Sequence, residues 1–236
     1  MATKTQNQDY EIKEGRTEII VRGNRFVHPF EEPNTHRNVG SAVLGRKLTI
    51  PTAEQTAELL HAAYCGPEEF RQKSQVEEVR NIMKNRWFWV FNRNLWTNEG
   101  VYVVSDPEAI GLSQELNQAK LEKRLSESPA GSRVMFSSDG TIRFAPKDSY
   151  RLGDHTSESF AKDGFVIASF GVDGAEKLGQ VASAFRYEPR TWGLEIGKQE
   201  GPIQRVSAVD GYDGRLHLSG DYRGDGRDGY ASGVLD

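Results

Sequence analysis

The stretch "RWFWVFNRNLW", Arg86–Trp96, decides the fold class. Trp87, Trp89 and Phe91 alternate with Phe88 and Val90, so an extended chain here is apolar on both faces. A strand of that kind belongs in the middle of a sheet covered on each side. Aromatic rings on an exposed sheet stack RNA bases when basic side chains surround them. With apolar residues on both faces, this segment reads as core instead.

Working outward, "GVYVVSDP" (Gly100–Pro107) is a second strand. Upstream, "TAEQTAELLHAAYCGP" is a helix in which Thr52 and Gln55 form a capping box, with Leu59, Leu60, Ala63 and Tyr64 at helical spacing. Gly66 ends it and Pro67 opens a second helix through "EEFRQKSQVEEVRNIMK". Thr17–Gly23 reads as a short strand and the residues up to Asn38 as a polar loop. Downstream, a third helix is expected over Ser113–Leu125. "RVMFSSDGTIRFAP" is a hairpin turning at Asp139-Gly140. "DGFVIASFG" is a further buried strand, and Asp173 with Glu176 caps a helix after it. From Trp192 on the chain is strand and turn. The pattern is α+β. We expect a loosely attached segment over residues 1–40 and one domain over 41–236.

The chain has 236 residues, a net charge of −4, 36% hydrophobic and 27% charged residues, and one cysteine, Cys65. These values fit a soluble globular protein without an intramolecular disulfide, and they argue against nucleic-acid binding as the main role. No apolar run has the length of a membrane span or the form of a secretory signal. No cofactor is expected. "GDGRDG" (Gly224–Gly229) matches a dinucleotide fingerprint in letters, but "YASGVLD" after it is too short for the required helix. The aspartates at 210, 213, 221, 225 and 228 lack the calcium-loop spacing. "EPN" (Glu32–Asn34) reads as a turn. His61 and Cys65 lie one helical turn apart and are too few for a metal.

The tail "RLHLSGDYRGDGRDGYASGVLD" (Arg215–Asp236) is different in vocabulary. From Ser207 to Asp236 there is no Lys, Glu, Gln, Met or Trp. A turn-rich, low-complexity segment is the plain explanation. The sharper one is genetic: randomising both adenines of an asparagine codon yields fifteen amino acids and never those five. Alternation places Leu216 and Leu218 on one face and Arg215, His217 and Ser219 on the other.

That exclusion, its C-terminal position and the "RLHLSG…DGYASGV" frame resemble the variable region of a protein diversified by a diversity-generating retroelement, most like archaeal or archaeal-virus examples. The resemblance implies a C-type-lectin-like fold with a variable region over about residues 207–232. It implies a non-enzymatic display protein that binds a protein or glycan on another cell or virus, either surface-displayed or virion-associated. Many relatives share the fold of formylglycine-generating enzymes, whose chemistry needs two cysteines; with Cys65 alone the resemblance carries the fold and not that catalysis. The variable surface expected here is Tyr212, Asp213, His217, Ser219, Asp221, Tyr222, Arg223, Asp225, Arg227 and Asp228. Such residues must be exposed while Leu216, Leu218 and Val234 stay buried. The alternatives are a metal-dependent hydrolase or transferase using the tail's acids, and a structural viral subunit.

Overall fold

A computed structural model of the chain describes residues 9–13, 18–125 and 133–235. β1 (Tyr10–Lys13), β2 (Glu18–Val21) and β3 (Asn24–Val27) form an antiparallel meander. Ile19 and Phe26 are fully buried in it. The expected polar loop up to Asn38 is instead β3, then β4 (Glu31–Asn34), then α1 (His36–Gly45). The "EPN" tripeptide therefore lies in a strand. Among the described residues β4 pairs with one strand alone, and it keeps polar residues, so it offers no apolar period to read. Thr35 caps α1, its Oγ1 accepting from the Asn38 N–H.

α2 (Ala53–Cys65) carries the expected capping box, with both reciprocal hydrogen bonds formed. The expected second helix is broken at Lys73 into α3 (Glu68–Arg71) and α4 (Ser74–Asn85). Arg80 donates to the carbonyls of Ala63 and Arg71, near the ends of α2 and α3, where helices leave carbonyls unpaired. No Gly or Pro marks the break, so the sequence conceals it.

β5 (Trp87–Trp96) and β6 (Gly100–Ser105) pair antiparallel. The third helix begins later than expected: Gly111–Ser113 is a 3₁₀ turn, and α5 is Gln118–Leu125, opened by Asn117 accepting from the Lys120 N–H. β7 (Met135–Phe136) and β8 (Ile142–Pro146) form the hairpin. At its turn Gly140 alone takes a positive φ, of 68°, and its N–H donates to Ser137 O, so the connection is longer than two residues.

After β9 (Gly153–Asp154) and α6 (Ser157–Ala161) comes the clearest departure from the sequence reading. "DGFVIASFG" is not a strand; it opens α7 (Gly164–Ala182). Asp163 is the N-cap and its Oδ1 accepts from the Phe165 and Val166 N–H groups. The segment is buried all round, and a continuous apolar run cannot distinguish helix from strand by period. Gly171, at φ 72°, interrupts α7, and the helix expected after Asp173 is its second half.

β10 (Arg190–Trp192), β11 (Ile203–Asp210), β12 (His217–Tyr222), β13 (Gly229–Ala231) and β14 (Val234–Leu235) complete the chain. Among the described residues the main sheet has the order β7-β8-β6-β5-β11-β12-β10-β9, with β13 beside β5 and β4 beside β13. A smaller sheet has the order β1-β2-β3-β14, joining both ends of the described chain. Residues 18–34 thus belong to the packed frame, which does not fit a loose segment reaching residue 40; residues 1–8 and 14–17 lie outside the described residues.

The fold is α+β and layered about β5 as its sequence requires. Phe88 and Val90 face α2, α4 and α7 with Leu60, Phe165 and Leu178. Trp87, Trp89 and Phe91 face the opposite side with Val39, Val43 and Ala231. Among the described residues no helix is long and apolar enough to cross a membrane.

Candidate ligand-binding site

β12 lies between β11 and β10, and its register with β11 decides the direction of each side chain. Val209 is opposite Leu218, and Ala208 is opposite Ser219. Leu216 and Leu218 have no exposed surface and join the core beneath. A Cβ added to Gly220 would lie 2.3 Å from the Phe165 ring. Its carbonyl accepts from Trp96 Nε1 at 2.8 Å and from Asn94 Nδ2 at 3.0 Å. Positions 216, 218 and 220 therefore belong to the frame.

His217, Ser219 and Asp221 line the other face. With Tyr212, Tyr222, Arg223 and Asp225 they border a cavity of about 680 Å³. Asn85, Arg86, Trp87, Trp192 and Asp210 complete its wall. Seven of the ten expected surface residues thus meet in one cleft.

Beyond Tyr222 the chain crosses back over the outer face of β5. Tyr222 stacks on Trp87, with ring centroids 5.5 Å apart and planes 20° apart. A Cβ on Gly229 would lie 2.2 Å from Trp89 Nε1 and 2.3 Å from Trp87 Nε1. The glycine lets backbone rest on indole where any side chain would hold the tail off. The His36 N–H donates to Gly224 O at 3.1 Å, pinning the start of the crossing to α1. The "GDGRDG" run leads into β13 and not into a helix, so it forms no phosphate cradle; Gly226 and Gly229 approach tryptophan closely, and Gly224 lies against Val206 and His36.

The cleft is polar at its base. Asp210 Oδ1 lies 3.0 Å from His217 Nδ1 and accepts from the Tyr212 N–H at 3.1 Å. Burial raises the Asp221 carboxyl, with Arg205 opposing the shift. Burial pushes the Tyr222 hydroxyl up to about 12, and the Asp210 and Asp221 carboxylates add to it. Arg86 at the rim sits 3.6 Å from Asp228. Among the described residues no group of three or more His, Cys, Asp or Glu is placed to hold a metal ion.

The ten residues are not equally exposed. Tyr212, Asp213, Arg223, Asp225, Arg227 and Asp228 are open to solvent. His217, Asp221 and Tyr222 are half-buried in the cleft wall. Ser219 is only 6% exposed, which corrects its expected place on an open outer face. The strand alternates as expected, but the residues around the cleft cover the serine. Asp213, Arg227 and Asp228 do not line the cavity. Asp213 also has φ 56°, a left-handed conformation that Asp, Asn and Gly tolerate best. Sequence reasoning missed Arg86, Trp87, Trp192 and Asp210 as site residues. Trp87 carries a core signal, since most of its ring is packed, and Trp192 carries no signal at all. Asp210 is visible only as one of several tail aspartates.

No protein-family model matches the chain, and no curated protein does. A chain from a solved structure, described by the words "Accommodation of massive sequence variation in Nanoarchaeota by the C-type lectin fold", aligns with 86% of this chain and 93% of its own length at 13% identity and a TM-score of 0.44. A likeness of that size leaves the fold to be read from the chain's own topology.

Proposed function

We propose that the protein is a non-enzymatic ligand-binding protein with a C-type-lectin-like fold, whose C-terminal region displays exchangeable side chains around the cleft. The observation that carries this reading is the convergence of seven residues between Tyr212 and Asp225 on one cavity, above a frame set by Leu216, Leu218 and Gly220. Tyr, Ser, Asp and Arg are suited to such a surface. Tyrosine gives rigid contact area at small entropic cost, and the short polar residues adapt their hydrogen bonds. Rigid strands beneath hold the group in place. The ligand is a protein or a glycan of another cell or virus, and the variation arises by adenine-directed copying of a template.

Two experiments test this. Displayed libraries randomised at the open positions Tyr212, Arg223, Asp225, Arg227 and Asp228, selected on unrelated proteins and glycans, are expected to yield specific binders that melt like the parent. Failure to recover any, or recovery only of unfolded clones, contradicts the display role. In the neighbouring DNA, a near-copy of the 3′ end differing at adenines beside a reverse transcriptase gene is expected; its absence removes the diversification mechanism.

A further inference from the structure

The sheet face that carries the cleft does not end at the tail. Strand register sets Asp154 beside Arg190, Arg190 beside His217, and His217 beside Asp210. Residues paired in this way point to the same face. β10 therefore extends the cleft face with Arg190 and Trp192, and Trp192 is part of the cavity wall.

Arginines and rings alternate along this extension. The Arg186 and Arg215 guanidiniums lie 5.0 and 5.7 Å from the centre of the Tyr187 ring. Arg215 and Arg190 each reach Asp154 Oδ1 at 2.8 Å, and the Arg190 guanidinium lies 4.7 Å from the centre of the Trp192 ring. Arg186, Tyr187, Arg215, Asp154, Arg190 and Trp192 thus form one chain of contacts. Its outer end is pinned where the Arg186 and Tyr187 N–H groups donate to Gly214 O, both at 3.0 Å. Side chains already held by their neighbours lose little freedom when a partner covers them.

The exposed apolar surface gathers at the same place. Among the described residues six large apolar side chains are exposed. Three of them, Tyr187, Trp192 and Tyr212, are 44%, 42% and 66% exposed and stand around the Tyr212–Gly214 turn and the cleft mouth. Exposed aromatic rings beside arginines are the composition of protein-interface hot spots. A sugar ring lies flat on an open aromatic face, and guanidiniums already cover a face of Tyr187 and of Trp192. A protein side chain packs as well against a ring edge. Arg186 makes no ion pair among the described residues, so it is available to a carboxylate.

We propose that Arg186, Tyr187, Arg190 and Trp192 form a fixed docking rim for a partner protein, which presents an acidic side chain to Arg186 and apolar residues to Tyr187 and Trp192. The proposal rests on the reading that the tail displays exchangeable side chains. The rim lies upstream of Ser207, outside the stretch of unusual vocabulary, and gives contact area common to every tail sequence. The tail then chooses among partners.

The displayed libraries varied at Tyr212, Arg223, Asp225, Arg227 and Asp228 supply the test. Independent binders are selected on serum albumin, an acidic protein without glycans, and on biotinylated mannotriose. Trp192→Ala and Tyr187→Ala are each expected to weaken most albumin binders by about tenfold or more, whatever their tail sequence. Arg186→Gln, which alters an exposed side chain without an ion pair, is expected to weaken them about threefold with an unchanged thermal midpoint. Albumin binders that all three variants leave within about twofold of the parent affinity overturn the rim while sparing the display surface. Dependence on Trp192 confined to mannotriose binders overturns the choice of a protein partner. Failure to select any binder defeats the display reading, and the rim with it.

Discussion

The two faces of β12 obey different rules. On one, Leu216, Leu218 and Gly220 meet Phe165, Trp96 and the helices beneath, with no room for change. On the other, His217, Ser219 and Asp221 meet a cleft shared with tail residues that are mostly open to solvent. A two-residue period thus separates what the fold requires from what a ligand can use. Burial and not position in the tail decides which residues are constrained: Gly229 lies in the tail's most polar run and is as tightly fitted as any leucine.

That contrast can be broken most forcefully on the frame side. Leu218→Ala is expected to cost about 2–5 kcal/mol in urea unfolding, the range for a buried leucine whose site cannot collapse. A cost below 1 kcal/mol, on the order of a surface change, would erase the distinction between the faces.

Next in size is an effect of acid beneath the tail. His36, against Trp89 and Phe91, has its pKa lowered to about 4 by burial, with the Arg93 charge adding to the shift. As pH falls from about 6.5 to about 4 the unfolded chain takes up a proton at His36 that the folded chain refuses, so stability falls through that window, with about 3 kcal/mol from His36, and His155, also lowered to about 4 by burial, adds to the fall. Asp163, raised to about 6 by burial, acts oppositely. It is protonated in the folded chain first, and offsets part of the loss between about pH 6 and 4. Unfolding curves at about pH 7 and about pH 4.5 should differ less for His36→Gln than for the parent. An unchanged difference would show that His36 is not held neutral.

Gly229→Ala sharpens the comparison within the tail. The added carbon collides with two indoles, and a loss of about 1–3 kcal/mol with displacement of the crossing is expected. Arg227→Ala, two residues away and exposed, should shift stability by less than about 0.5 kcal/mol. Equal effects of the two would deny that burial sets the constraint.

How much of this was legible in the sequence depends on whether a signal was local. β5 announced itself, because two-sided apolarity over Trp87–Phe91 has one economical reading, and the capping box announced α2. α7 did not. Val166, Ile167 and Phe170 favour strand locally, and the decision for helix comes from Asp163 satisfying its first N–H groups and from packing on α2, which only the assembled core supplies. β3, β4 and α1 were invisible because their residues are mixed or polar and their order depends on β13 and β14 arriving from the far end of the chain. In the site, the tail residues were legible from alternation and vocabulary. Trp192 and Arg86 enter through strand order and a helix end, which no local pattern encodes. Ser219 was misjudged for the same reason: its direction is local, but its cover is not.

The most direct measurement is the thermal midpoint of a chain carrying Tyr212→Ala, Arg223→Ala, Asp225→Ala, Arg227→Ala and Asp228→Ala together. If these side chains are free of the frame, the midpoint stays within about 5 °C of the parent and unfolding remains cooperative. A fall of more than about 15 °C would show that the tail's open side chains hold the fold together, and the separation of frame from display surface would be wrong.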